Sequence, residues 1–203
     1  MSKTIGLIIG SQRTARVGDS IAKWFAQTTK LGSNSHFKYE VVDLADHKLP
    51  MLDEPLPPMM LNGKYSSPVI TKFSETIASK DGFIFVISEY NNSFPGNLKN
   101  AVDHLFGEWK GKPSVVASYG FFGGSSSNDQ FTQVLNKSFL AMPVTNTRPK
   151  MTLNKTMFDE AGKFKDITTD FKPFEQSAID SVKDLEQLLQ DIETKKVVEQ
   201  NAS

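Results

Sequence analysis

Short apolar runs alternate with stretches of helical period along this chain, and Gly, Pro or a hydroxyl cap punctuates each change. Residues 4–9 form an apolar run ending at Gly10, as a strand buried on both faces should read. Val17, Ile21, Trp24, Phe25 and Thr28 then share one helical face, closed by Gly32. Residues 38–44 predict a second strand. Ser66-Ser67-Pro68 is a helix start, a hydroxyl cap followed by Pro where its missing N–H costs nothing. Val69, Ile70, Phe73 and Ile77 continue that helix towards Gly82. Residues 82–87 contain Phe-Ile-Phe-Val-Ile, the clearest strand in the chain. A helix entered through Pro95-Gly96 carries Leu98, Ala101, Val102 and Leu105, and residues 114–118 predict a fourth strand. Phe131, Val134, Leu135 and Phe139 mark another helix, and a last strand falls within residues 143–153. From Phe171 to Ile192, apolar residues at three- and four-residue steps give an amphipathic helix, with residues 194–203 expected to fray.

Strands alternating with helices imply a single α/β domain over residues 1–203: a doubly wound, five-stranded parallel sheet with helices on both faces. The Pro- and Gly-rich stretch 50–63 reads as a long ordered loop over one edge. Ligands of such sheets sit beyond the carboxyl ends of the strands, where the winding direction switches. Composition narrows the chemistry. Lys and Arg total 23 against 23 Asp and Glu, which argues against a dedicated nucleic-acid binder. The absence of cysteine excludes disulfides, thiolate nucleophiles and iron–sulfur clusters. No apolar stretch reaches membrane-span length, and the N-terminal run is too short for a signal-peptide core, so the expected compartment is the cytoplasm and no membrane partner is expected. His36, His47 and His104 lie on different elements without metal-ligand spacing, and no Gly-x-Ser-x-Gly elbow is present.

Three loops of unusual composition follow the first, third and fourth strands, and a doubly wound sheet would open all three onto one edge. The first, residues 10–18, leads into a helix N-terminus, whose free N–H groups and dipole suit a phosphate. Ser11 adds a hydroxyl, and Arg13 and Arg16 add guanidinium groups. Either arginine alone reads better as a surface group paired with an acid; Gly-Ser-x-Arg-x-x-Arg at this place favours the phosphate. The dinucleotide and Walker patterns are both missing. The second loop, 88–96, sets Tyr90 between Glu89 and Asn91, suited to a flat heteroaromatic ring or, equally, a lid on the core with a turn beside it. The third, 119–125, holds Gly120, Gly123 and Gly124, which permit close backbone approach to a ligand or simply a tight turn.

Gly10-Ser11-x-Arg13-x-x-Arg16, the run from Glu89-Tyr90-Asn91-Asn92-Ser93 through Pro95-Gly96-x-Leu98-Lys99-Asn100-Ala101-Val102-Asp103, and Ser118-Tyr119-Gly120-x-x-Gly123-Gly124 together resemble the NAD(P)H-dependent FMN reductase family, which includes quinone and azo-dye reductases. Residues 43–44 and 49–55 are similar to it too. The likeness covers roughly residues 4–142. It implies a flavodoxin-like fold, bound FMN, NADPH or NADH as reductant, a small-molecule electron acceptor, and a homodimer or larger oligomer with the flavin near the subunit boundary. On that resemblance Ser11, Arg13, Arg16, Val17 and Gly18 would hold the ribityl phosphate. Glu89, Tyr90 and Asn91 would line the isoalloxazine, and Gly120, Phe121, Gly123 and Gly124 would lie near its pyrimidine edge. The flavin carries the chemistry, so no catalytic residue and no metal is assigned. Two positions depart from the family: Ser88 stands where Pro is usual and would loosen the loop, and Phe121 stands where Gly is common and would narrow the substrate site. Two rival uses of the same fold are a flavodoxin-type electron carrier and a flavin-responsive interaction module without turnover.

Overall fold

The computed structural model describes residues 3–33, 37–137 and 139–201, so His36 lies outside the described residues. Five strands form one sheet: β1 (Lys3–Ile9), β2 (Phe37–Asp43), β3 (Gly82–Ser88), β4 (Ser114–Gly120) and β5 (Lys150–Thr152). Every pairing is parallel and the order is β2-β1-β3-β4-β5, the doubly wound flavodoxin-like arrangement. The winding direction reverses between β1 and β3, so the loops after those two strands flank the crevice.

The apolar runs are continuous because both faces are covered. Ile5, Leu7, Ile9, Ile84 and Val86 point to one face, where α1 (Gly18–Thr28) and α8 (Glu175–Asn201) supply Ile21, Phe25, Val182 and Leu185. Ile8, Phe83, Phe85 and Ile87 point to the other, against α4 (Pro68–Ala78), α5 (Gly96–Asp103) and α6 (Ser125–Asn136). Ser67 caps α4 through its side chain with Pro68 at the first turn, as the sequence predicts. The stretch 50–63 is ordered, includes α3 (Pro58–Leu61), and is tied to α5 by Asn100, which donates to the Pro50 carbonyl at 2.7 Å and accepts from Leu52 N–H at 2.9 Å.

Several boundaries move. Leu44 leaves the second strand to open a short helix, α2 (Leu44–His47), because Asp43 caps it by accepting from Ala45 N–H. The helix α4 stops at Ala78 rather than Gly82, and its Val69 is exposed. Tyr119 and Gly120 belong to β4, not to the following loop. Phe139 lies outside α6 and is 81% exposed, so it is no part of a buried helical face. The last strand shrinks to three residues. Phe171 precedes the final helix, following the short α7 (Ile167–Asp170). That final helix runs unbroken to Asn201, its last segment rich in Glu, Lys and Gln, which favour helix without needing burial.

Candidate functional site

The three loops converge on one cavity of about 350 Å³, within the range of small-molecule sites, whose walls include Ser11, Arg13, Arg16, Val17, Glu89, Tyr90, Asn91, Gly120 and Phe121. Each loop is held from behind. Asn97 of α5 donates to the Gly10 carbonyl at 2.6 Å, and Arg16 Nη1 donates to the Ser11 carbonyl at 2.8 Å. With those carbonyls drawn off, the first loop leads into α1, whose N-terminus has no side-chain cap. Its first amides have no partner within the helix, an arrangement that suits an anion.

The two arginines of the first loop have different surroundings. Arg16 forms a fork-to-fork pair with Asp43 at the end of β2: Nη1 donates to Oδ1 at 2.7 Å, and Nη2 contacts Oδ2. The Asp43 carboxylate holds the Arg16 pKa above its ordinary value. This guanidinium thus pins the loop to the neighbouring strand, and the bland reading of a surface arginine with an acid partner describes it. Arg13 has no acid partner among the described residues and lies 5.8 Å from the centre of the Tyr90 ring. It is the cation left for a ligand.

Tyr90 forms the shelf of the cavity. Its N–H donates to the Ser93 carbonyl at 2.8 Å and its carbonyl accepts from Ser93 N–H at 3.0 Å, closing a tight turn across Asn91 and Asn92. Both asparagines have positive φ, which Asn tolerates better than other non-glycine residues. The Tyr90 and Ser11 hydroxyl oxygens are 2.7 Å apart, joining the shelf to the anion cradle. Glu89 presents backbone here, because its carboxylate accepts from Ser127 N–H in the first turn of α6 at 3.1 Å. The Ser127 hydroxyl donates to the Ser88 carbonyl at 2.9 Å. Ser88 ends β3 with its backbone tied to α6. Its own hydroxyl is buried with no hydrogen-bond partner among the described residues.

Gly18, Gly123 and Gly124 do not line the cavity. Gly18 sits behind the wall, where a Cβ would fall 2.7 Å from the Tyr119 hydroxyl. Gly124, at φ +68°, turns the chain from β4 into α6, and a Cβ there would fall 2.9 Å from Ser118 Cβ. Gly123 packs on Lys150. The walls also contain residues not assigned to the site from the sequence: Ala15, Asn92, Tyr119, Phe122 and Leu153. Burial pushes the Tyr119 phenol up to about 12, so it stays a neutral hydroxyl at working pH. Leu153 arrives because its N–H donates to the Gly120 carbonyl at 2.8 Å, a pairing between distant segments that no local pattern shows. Asp43 was detectable in principle as an acid closing a strand next to the switch point.

The sequence model for NADPH-dependent FMN reductases matches residues 4–150. The chain belongs to this family. An NAD(P)H-dependent FMN reductase of Schizosaccharomyces pombe is 42% identical over 147 residues, 72% of this chain and 72% of its own. A quinone reductase of Pseudomonas putida is 30% identical over 188 residues, covering 87% of this chain and 91% of its own. Among solved structures, FerB, a flavoenzyme NAD(P)H:(acceptor) oxidoreductase from Paracoccus denitrificans, aligns with a TM-score of 0.63 at 19% identity over 89% of this chain and 97% of its own. An FMN-dependent NADH-azoreductase from Bacillus anthracis in complex with FMN aligns at 0.53 and 16% identity, over 87% and 98%. At those identities the two structures speak for the flavodoxin-like fold. The FMN reductase match ends at residue 150, so the hairpin after β5, α7 and α8 lie beyond it.

Proposed function

We propose that this FMN reductase family member holds FMN as a resident cofactor in the cavity between the β1, β3 and β4 loops and oxidises NAD(P)H there on behalf of a flavin, quinone or azo acceptor. The observation that carries the reading is Arg13. It is a guanidinium without an acid partner among the described residues, near an uncapped helix N-terminus and beside a hydroxyl and an aromatic shelf. Those residues fit a phosphate joined to a flat ring. Bound FMN supplies two-electron chemistry, taking hydride from a reduced nicotinamide and passing electrons on to an acceptor.

The chain's own residues bind, orient and exclude water. Arg13, the Ser11 hydroxyl and the first amides of α1 hold the ribityl phosphate, with Val17 closing the cradle. Arg16 acts one step back, keeping the Ser11 carbonyl turned away so that donors rather than acceptors face the phosphate. Tyr90 and Asn91 give the ring a wall, and backbone of Glu89 and Gly120 borders it. No side chain is required to attack a substrate or abstract a proton from carbon. Phe121 and Phe122, 61% and 83% exposed, stand at the entrance and narrow what can stack on the ring.

A homodimer or larger oligomer is the proposed state. Met59, Met60 and Phe139 are exposed, and Met59 and Phe139 border a mostly apolar cavity beside α5, a surface that a second copy would cover. The cytoplasm is the proposed compartment; among the described residues no helix is long and apolar enough to cross a membrane. The test is direct. Purified protein incubated with FMN and desalted is expected to keep a flavin absorbance spectrum and to oxidise NADPH or NADH steadily with a quinone present. A colourless product overturns the reading, and a yellow protein without nicotinamide oxidation supports the electron-carrier alternative instead.

A further inference from the structure

A second cavity, of about 650 Å³, opens between α1 and the hairpin that follows β5. It shares Arg16 and Val17 with the proposed flavin cavity, so the two meet beside the phosphate cradle. The hairpin is firmly built. Asp159 N–H donates to the Lys163 carbonyl at 2.9 Å, Gly162 N–H to the Asp159 carbonyl at 3.0 Å, and Lys163 N–H to the Asp159 carboxylate at 2.8 Å. Phe158 and Phe164 pair across it with ring centres 4.7 Å apart, and Phe164 meets Phe171 of the core edge-on at 5.3 Å. Lys163 and Lys165 flank the anchored Phe164 along this hairpin.

Both lysines border the cavity, with Lys23 of α1 across from them. The Lys23 and Lys163 ammonium groups make no hydrogen bond or ion pair among the described residues, and Lys165 Nζ donates only to the Thr156 carbonyl at 3.1 Å. Two acids share the walls. Asp166 has its carboxylate engaged by the first turn of α7, accepting from Thr169 N–H at 3.2 Å and Thr169 Oγ1 at 2.6 Å. Asp19 sits in the first turn of α1. With Arg16 set aside because Asp43 neutralises it, three cations face two anions, and Ser20, Gln27 and Thr168 add neutral hydrogen-bonding groups. These ammonium groups are separate from Arg13 and Ser11, so the flavin phosphate does not account for them.

We infer that this cavity receives the adenosine 2′-phosphate of NADPH, with Lys163 as the principal specificity-determining residue and Lys23 and Lys165 beside it. The inference rests on the flavin reading above. A nicotinamide dinucleotide stacked in the first cavity must place its adenosine end somewhere, and the adjoining cavity offers unpaired cations suited to a dianionic phosphate. NADH, which lacks that phosphate, would leave them unused. The lysines at 163 and 165 lie beyond the part of the chain that matches the family model, so this preference would be a property of the C-terminal segment.

Calorimetric titration of FMN-loaded protein with adenosine 2′,5′-bisphosphate and with adenosine 5′-monophosphate reads the 2′-phosphate without turnover. The bisphosphate is expected to bind about tenfold tighter or better, the size of a charge-assisted contact. Lys163→Glu should remove most of that preference and Lys163→Gln a smaller part. The ratio of kcat/KM for NADPH to that for NADH should fall in step. Equal affinity of the unmodified protein for both nucleotides overturns the inference, as does a preference that survives both substitutions. A Lys163→Glu protein that loses FMN affinity while keeping the nucleotide preference would make this a flavin-phosphate site, which also overturns it. Failure to load FMN at all overturns both readings, whereas FMN loading without nucleotide preference overturns this one alone.

Discussion

Arg13 and Arg16 belong to one sequence motif, yet the structure gives them opposite phenotypes on removal. Arg13→Ala takes away an exposed cation that lies over the Tyr90 ring and has no ion pair among the described residues. The apo fold should keep its stability within about 0.5 kcal/mol, the usual range for a surface substitution. FMN affinity should fall about 10- to 150-fold, corresponding to about 1.5–3 kcal/mol for a hydrogen bond to a charged group. Arg16→Ala instead strands Asp43, whose side chain is only 14% exposed. Breaking a fully buried pair costs about 3–5 kcal/mol. Here Asp43 keeps the Ala45 amide and some solvent, so ~2–3 kcal/mol is expected, a fall in Tm on the order of 4–12 °C for a chain of this size. Asp43→Asn should lower apo stability too, since it breaks the same pair. Thermal melts of the apo proteins, set beside flavin-fluorescence titrations, separate the two effects. An Arg13→Ala protein that melts early yet binds FMN normally would refute the assignment. So would an Arg16→Ala protein of unchanged stability.

Three further outcomes follow from packing and charge. Gly18→Ala should cost about 1–3 kcal/mol by overpacking, because the new methyl meets the Tyr119 hydroxyl; pairing it with Tyr119→Phe should recover much of the loss in a urea melt. Gly124→Ala has no such rescue. The residue sits at φ +68° with Tyr119 backbone atoms 3.0 Å from the added carbon, so about 2–4 kcal/mol is expected in the same assay. Burial pushes the Lys112 ammonium down to about 8. The unfolded chain, with an ordinary lysine near pH 10.4, then holds a proton that the native state has released, so this group's contribution to stability rises with pH between about 8 and 10.4 and its burial penalty is fully present below 8. Urea midpoints measured across that window should show the rise shrink in Lys112→Met relative to the unmodified protein; parallel curves would contradict it.

The sheet was legible because its signal is local. A strand buried on both faces must be apolar throughout, and residues 4–9 and 82–87 are. The helix starts were readable for the same reason, since Ser67 and Pro68 do their work within one turn. What escaped the sequence was what depends on another segment. Phe139 satisfies the helical spacing, but the chain leaves α6 at Asn136, and spacing alone does not reveal where a helix stops. The site divides along the same line. Tyr90, Asn91 and the Gly10–Arg16 loop were found because their composition is odd. Leu153 and Tyr119 were missed because an ordinary residue becomes a wall only through the sheet register that places it. Arg16 was found, but not its partner: Asp43, 27 residues away, is brought to it by the pairing of β2 with β1.

That division bears on how the site is held before any ligand arrives. The contacts that fix the three loops use atoms turned away from the cavity: the Gly10 carbonyl on Asn97, the Ser11 carbonyl on Arg16, the Ser88 carbonyl and Glu89 carboxylate on Ser127, and the Gly120 carbonyl on Leu153. Nearly every tether therefore removes an acceptor from the vicinity of the cavity. An anion entering it meets amides, hydroxyls and Arg13 with little competing negative charge and little backbone to reorder, and preorganisation of that kind strengthens binding by reducing what ordering would cost. The same logic accounts for the uncapped start of α1. A side-chain cap there would add about 1 kcal/mol to the empty fold by occupying the amides that the proposed cradle uses, which is small beside the affinity that several donors aimed at one phosphate would supply.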